Sequence, residues 1–171
     1  MDTLSIRKTF VNDIPAIEAL YQRVAAGEGG LARTADEITR EYVEHFVSKS
    51  IYNGIELIAS AADPGRIIGE IHCYANDISA FSHVLTDLTI AVDPDYQGKG
   101  VGRVLFTELL SDVTENRPDI LRVELIARES NTRALTFYES LGFVKEGRLK
   151  GRIKRSDGTF EDDIVMGWRR E

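Results

Sequence analysis

The stretch Tyr-Gln-Gly-Lys-Gly-Val-Gly at 96–102 sets Gly98, Gly100 and Gly102 at alternate positions, with Gln97 before them and Lys99 between two of them. Glycine has no Cβ, so a loop of this kind lets its backbone approach a phosphate closely. The stretch that follows, RVLFTELL, reads as a helix. Its first N–H groups and its dipole would face the anion. Gln97 and Lys99 would add side-chain donors, and Val101 lies inside the same turn. Two well-known phosphate loops do not fit. The spacing G-x-x-x-x-G-K-[ST] is absent. A dinucleotide fingerprint G-x-G-x-x-G starting at Gly100 would need glycine where Leu105 stands. A tight strand-to-helix turn without a ligand is the other reading of the spacing alone.

A second group that could do chemistry is Glu70, a lone carboxyl in the apolar run IIGEIHC. Desolvation raises the proton affinity of such a group, which suits a proton acceptor. A solvated strand residue or an anchor for an ammonium group are the alternatives. Cys73 lies in the same run and is the only cysteine, so an internal disulfide is excluded. It reads as a small buried hydrophobe, with a catalytic thiol as the alternative.

These residues must be carried by a chain of 171 residues, the size of one domain spanning 1–171. A hydrophobic fraction of 43% supports an ordinary globular core. The net charge of −7 argues against a general nucleic-acid binder, which would show a basic face. No basic–apolar leader opens the chain and no apolar run approaches ~18 residues. A cytoplasmic protein with no membrane partner is expected.

Periodicity and punctuation place the elements. An alternating strand is expected at 4–10, and a helix at 12–25 with Asn12 as N-cap, Pro15 in its first turn and Ile14, Ile17, Leu20, Tyr21 and Val24 on one face. The capping-box pair Thr34 and Glu37 opens a helix at 34–50. Strands at 55–61 and 66–75 flank a turn at 62–65, and a strand at 83–92 precedes the glycine loop. A helix at 100–116, a strand at 120–128, a helix at 131–143 capped by Asn131 and stopped by Gly142, and strands at 143–152 and 162–169 complete the order. This α/β (α+β) order, β-α-α-β-β-β-α-β-α-β-β, predicts one mostly antiparallel mixed sheet of about seven strands with helices on both faces. The strand–helix–strand unit around the loop should be parallel and right-handed.

The segment QGKGVG resembles the Gln/Arg-x-x-Gly-x-Gly/Ala motif of the GNAT acetyltransferase superfamily. The preceding LTIAVDPDY, the following RVELIAR and the segment NTRALTFYESLGFV agree in order and distance. The last is similar to the family pattern N-x-x-A-x-x-x-Y-x-x-x-G-F through Asn131, Ala134, Tyr138, Gly142 and Phe143. The match covers roughly 83–145. The tail 146–168 resembles a subgroup that acetylates small molecules, free amino acids among them, and also enzymes that modify ribosomal-protein N-termini.

The resemblance implies the GNAT fold, with a splayed parallel strand pair forming a coenzyme A cleft, and acetyl-CoA as co-substrate without a metal. Backbone N–H groups from Gly98 to Gly102 would hold the diphosphate. The backbone of Ile90, Ala91 and Val92 would pair with the pantetheine amides like an added strand. Asn131 would face that arm, a role compatible with an N-cap. Tyr138 occupies the position of the family's general acid, with a packed core tyrosine as the alternative, and Val92 N–H that of the oxyanion donor. The base stays open between Asp87, Glu70, His83 and a water relay. Period two puts Asp87, Thr89 and Ala91 on one face of their strand and Leu88, Ile90 and Val92 on the other.

Three functions follow. One is N-acetylation of a small primary amine by direct attack. Another is acetylation of protein N-termini across a wide groove beside the 27–33 loop. The last is a coenzyme A-binding module without turnover. A homodimer through Ile164, Met166 and Trp168 is a further expectation, the alternative being that this face packs the chain's own helices.

Overall fold

The computed structural model describes residues 4–27, 31–61 and 66–170. Its strands are β1 (Ser5–Lys8), β2 (Gly54–Ser60), β3 (Ile67–Ala75), β4 (Val84–Val92), β5 (Arg122–Arg128), β6 (Val144–Lys154) and β7 (Phe160–Arg169). Its helices are α1 (Ile14–Ala25), α2 (Arg40–Asn53), α3 (Val101–Asn116) and α4 (Thr132–Glu139). The strands are hydrogen-bonded in the order β1-β2-β3-β4-β5-β7-β6. The pairs β1–β2, β2–β3, β5–β7 and β6–β7 are antiparallel, whereas β4–β5 is parallel at Val84↔Arg122 and Leu85↔Val123. This is the mixed sheet that the element order predicts. The turn expected at 62–65 and residues 28–30 of the 27–33 loop lie outside the described residues. Among the described residues, no helix is long and apolar enough to cross a membrane.

The chain divides into two compact units, Met1–Tyr74 with Thr89–Asn116, and Ala75–Leu88 with Arg117–Glu171. In the first unit, α1 buries Ile14, Ile17, Leu20, Tyr21 and Val24, as its period of 3.6 requires. The helix starts at Ile14 rather than Asn12. Residues Val11–Asp13 form a 3-10 turn, and the Asp13 carboxylate takes the Phe10 N–H at 2.8 Å and both ends of the Arg7 guanidinium. The second helix also starts later than its capping box suggests. Glu37 does accept the Thr34 N–H at 2.8 Å, but the pair closes only a 3-10 turn. Ile38 then leaves helical geometry at ψ 88°, and Thr39 caps α2 through the Tyr42 N–H. Helices cover both faces of β3. Glu70 and His72 point to α1 and α2, whereas a Cβ at Gly69 would lie 2.9 Å from Leu105 and Val101 of α3. Only glycine lets α3 come this close.

The face under α1 and α2 holds an unusual polar group. Antiparallel register sets Glu56 opposite His72 and Ile58 opposite Glu70. Glu70 is fully buried, with one oxygen on the Tyr21 hydroxyl and the other 3.0 Å from His72 Nδ1. The His72 ring lies 4.1 Å from that of Phe46 and nearly parallel to it. Both carboxyl oxygens of Glu56, and the Thr9 hydroxyl, are buried without a hydrogen-bond partner. An unpaired buried carboxylate costs several kcal/mol, on the order of 3–5. Burial, reinforced by the nearby Glu70, therefore pushes the Glu56 carboxyl up to about 9, and burial likewise pushes Glu70 up.

In the second unit, β5, β7 and β6 form an antiparallel ribbon. The edge strand β6 is exposed along nearly its whole length. Its arginines reach the acids of β7 and neighbouring turns: Arg148 meets Glu129 and Asp162, Arg152 meets Asp163 at 3.3 Å, and Arg155, just past the strand, meets Glu161 at 2.9 Å. Charged side chains on an edge oppose pairing with another chain. Glu161 also accepts the Ser130 N–H at 2.8 Å. Hydrogen bonds from Ser130, with Arg155 adding to them, hold this carboxyl down at about 2. Ile164 and Met166 are buried within the chain and Trp168 is half-buried.

The Glu56 carboxyl sets a pH dependence of stability. Its folded proton affinity exceeds that of an unfolded glutamate, which titrates near ~4.3. Its contribution is therefore complete below ~4.3 and is lost as the pH rises through about 9. Around it, Thr9, Asp13, Glu70 and His72 are unchanged in a Glu56→Gln variant, which cannot titrate at this position. Thermal unfolding from pH 5 to pH 9 should show the variant's Tm gaining on wild type by at least ~3 °C, corresponding to about 1 kcal/mol in a chain of this size. A Tm difference that stays constant with pH would contradict the assignment.

Candidate active site

The glycine loop joins β4 to α3 within the first unit. After Val92 the chain makes a 3-10 turn at Pro94–Tyr96 and then enters the glycines. Gly98 and Gly100 adopt left-handed backbone, with φ of 74° and 88°. A side chain at either position would be strained. A Cβ at Gly100 would have no other protein atom within 4 Å, so the backbone here is bare on that side. A Cβ at Gly102 would touch Ile90 and Val92 at 3.6 and 3.8 Å, which fixes the start of α3 against β4. The first bond of the helix runs from Val104 N–H to Gly100 C=O at 3.1 Å. Val101 and Gly102 thus present N–H groups with no acceptor inside the helix. Bare left-handed backbone followed by a helix N-terminus fits a diphosphate. Lys99 lies 5.1 Å above the Tyr96 ring. The Gln97 side-chain amide donates to Val92 C=O at 3.0 Å, so in this structure it braces the loop from within.

Ile90 and Val92 are half-buried and Ala91 is buried. The strict alternation expected along β4 fails at Asp87. Asp87 has φ 53°, the one non-glycine residue in the left-handed region among those described. It is exposed, and the buried positions that follow are Leu88 and Ala91, three apart.

Glu70, the candidate base in the first unit, is sealed under Tyr21 and His72 with no exposure. Cys73 is buried too and behaves as a small hydrophobe. Among the described residues no three His, Cys, Asp or Glu side chains are grouped to hold a metal ion. The second unit carries Asp87, His83, Asn131 and Tyr138. His83 is exposed, and its C=O accepts the Leu121 N–H at 2.9 Å. Asn131 caps α4, its Oδ1 accepting the Ala134 N–H at 3.1 Å. Tyr138 sits in the last turn of α4, half-buried, with its ring 5.6 Å from Phe137 and 6.2 Å from Phe143. Burial raises the proton affinity of its phenolate, keeping the hydroxyl protonated.

Two features were not foreseen from the sequence. One is the partner set of Glu70, namely Tyr21, His72 and the nearby Glu56. The other is Asp93, almost fully buried between Arg23 and Arg66. An Asp before Pro after a strand reads as a turn, and nothing local announces its two distant arginines.

Comparisons with known proteins agree with this geometry. Residues 54–145 match the family model "Acetyltransferase (GNAT) domain", more than half of the chain. The [Ribosomal protein bS18]-alanine N-acetyltransferase of Escherichia coli (strain K12) is 40% identical over 81 residues, 47% of this chain and 53% of that protein. The chain thus spans about half the length of this curated relative. The crystal structure of an acetyltransferase of the GNAT family from Streptococcus pneumoniae superposes with a TM-score of 0.87 at 26% identity, covering 98% of this chain and all of that one. The structure of yncA from Salmonella typhimurium with its cofactor acetyl-CoA shares the fold, with a TM-score of 0.80 at 18% identity over 98% of this chain and 94% of that one. With a glycine loop of the family's spacing between β4 and α3, and a family model matching residues 54–145, the chain belongs to the GNAT acetyltransferase domain family.

Proposed function

We propose that this chain is an N-acetyltransferase that works in the cytoplasm as one catalytic domain, moving an acetyl group from acetyl-CoA to the primary amine of a small molecule, a free amino acid being the leading class. The observation that carries the coenzyme assignment is the loop: two left-handed glycines, with open space over Gly100, leading into a helix N-terminus. Acetyl-CoA supplies the acetyl group as a thioester. The N–H groups of Gly98 to Gly102 bind its diphosphate, and the backbone of Ile90, Ala91 and Val92 binds its arm as an added strand would. The family resemblance assigns Asn131 to the same arm. Val92 N–H stabilises the negative charge that builds on the carbonyl oxygen during attack. The Tyr138 hydroxyl, kept protonated by burial, gives its proton to the departing sulfur.

An ammonium has no lone pair, so the acceptor must attack as a neutral amine and its proton passes to a base. Asp87 and His83, both exposed, are the candidate bases in this reading, directly or through a water, whereas Glu70 has no exposed surface. Glu70 instead belongs to the core of the first unit. A second reading is favoured by the relative named for alanine acetylation on ribosomal protein bS18: the acceptor is then a protein N-terminus. A screen following free thiol from acetyl-CoA separates the two. Amino acids, polyamines, aminoglycosides and short peptides with N-terminal alanine are the acceptors to include. Turnover with amino acids and none with peptides supports the first reading; the reverse supports the second.

Two substitutions test the site. Gly100→Val puts a branched side chain on a left-handed residue over the bare backbone. Calorimetry should show coenzyme A binding weakened at least ~10-fold, about 1.4 kcal/mol, and a chelator should leave wild-type binding unchanged. Unaltered affinity in a folded variant would remove the loop from the coenzyme site. Tyr138→Phe keeps the ring and removes the proton donor. With the best acceptor from the screen, kcat should fall roughly 10–100-fold, the low end of general acid effects, since a thiolate leaves tolerably even unprotonated. Acetyl-CoA affinity should hold, as expected of an interaction made mainly in the transition state. A wild-type kcat with chemistry rate-limiting would make Tyr138 a packing residue.

A further inference from the structure

The turn that leads into the glycine loop is built around one carboxylate. Asp93 is 1% exposed. Its Oδ2 accepts from Arg23 Nε of α1 and from Arg66 Nη2, which precedes β3, both at 2.9 Å. Its Oδ1 accepts the Asp95 N–H at 3.1 Å. Its own N–H donates to Ile68 C=O at 2.8 Å, and its C=O accepts the Tyr96 N–H at 2.8 Å. Both arginines are tied further. Arg23 Nη2 donates to Ile67 C=O at 3.2 Å, and Arg66 lies 5.9 Å over the Tyr96 ring and 3.4 Å from Asp95. One residue thus fastens the end of β4 to α1, to β3 and to the turn at Pro94–Tyr96. Burial opposes ionisation of Asp93, but Arg66, the Asp95 N–H and Arg23 outweigh it and hold the carboxyl below the usual range.

We infer that Asp93 is a positioning residue for acetyl-CoA: clamped by Arg23 and Arg66, it fixes the turn that aims the N–H groups of Gly98–Gly102 at the diphosphate. This rests on the reading of the glycine loop as the diphosphate site. The loop needs such a clamp because its own glycines are the least restrained residues of a chain, and each donor must be ordered before it binds. The local backbone bonds at the loop's entry are long, Gln97 N–H to Pro94 C=O and Lys99 N–H to Tyr96 C=O both at 3.4 Å, and the Gln97 side chain adds one brace to Val92 C=O at 3.0 Å. The clamp therefore supplies order that the loop lacks.

Charge and positioning predict opposite signs for one substitution. Asp93→Asn removes a negative charge and releases two guanidiniums next to a site for an anion, so simple attraction would tighten coenzyme A binding. Positioning predicts the reverse. Calorimetry with coenzyme A, run well below the Tm of each protein, should give a Kd at least ~10-fold weaker for Asp93→Asn. Hydrogen exchange on the free variant should be faster at the amides of residues 96–102 and unchanged in α4 and β7. An equal or tighter Kd in the folded variant overturns the inference, as does faster exchange spread over the whole chain. If Asp93→Asn does not fold, Arg23→Gln removes one strut and should weaken binding ~3–10-fold with the same local exchange, and a wild-type Kd there overturns the inference too. Gly100→Val run alongside separates the two levels. If Gly100→Val weakens binding and Asp93→Asn does not, the clamp alone is refuted. If neither does, the loop is not the diphosphate site, and the inference falls with that reading.

Discussion

A single left-handed backbone angle constrains the central strand β4. Asp87 at φ 53° is a residue in the left-handed region in the middle of a strand, at a cost of ~1–2 kcal/mol for an ordinary side chain. Aspartate is among the few types that tolerate it. Asp87 itself is exposed, whereas Leu88 and Ala91 are buried. Downstream of it, Ile90 and Val92 carry side chains against which Gly102 sets the start of α3. The loop, the helix start and the strand end are thereby one connected piece. Strain retained at such a position is a common mark of a functional segment.

The first unit then divides its polar groups by what surrounds them. Asp93 stays charged because two guanidiniums and an N–H face it. Glu56 and Glu70 keep their protons because nothing cationic and permanent does. His72 and Tyr21 satisfy Glu70 by hydrogen bonding, whereas Glu56 lacks even that. The same side-chain type thus fills opposite roles according to its neighbours, the ionised carboxylate next to the loop and the neutral acids beneath α1 and α2.

How much of this was legible depends on how local each cause is. The buried face of α1 was, because period 3.6 is written in five apolar residues. So was the Asn131 cap, a contact over three residues. The start of α2 was not, because Thr34 and Glu37 form their capping box whether a 3-10 turn or a helix follows, and Ile38 decides which. The left-handed angle at Asp87 was not, since no composition signal marks it in a β-rich run. The glycine loop was legible from spacing and resemblance together. The clamp on Asp93 was not, as its partners lie 70 and 27 residues away in sequence. Glu70 stood out as a carboxyl in an apolar strand, but its burial in the core follows from Tyr21, 49 residues distant.

The central claim is that bare loop backbone binds the coenzyme diphosphate. A crystal structure of the protein with coenzyme A, grown without added metal, tests it most directly. The account predicts diphosphate oxygens at about 2.7–3.2 Å from backbone nitrogens within Gly98–Gly102, with no cation bridging them. Diphosphate bound away from these residues, or reaching the protein only through a metal ion, would contradict it.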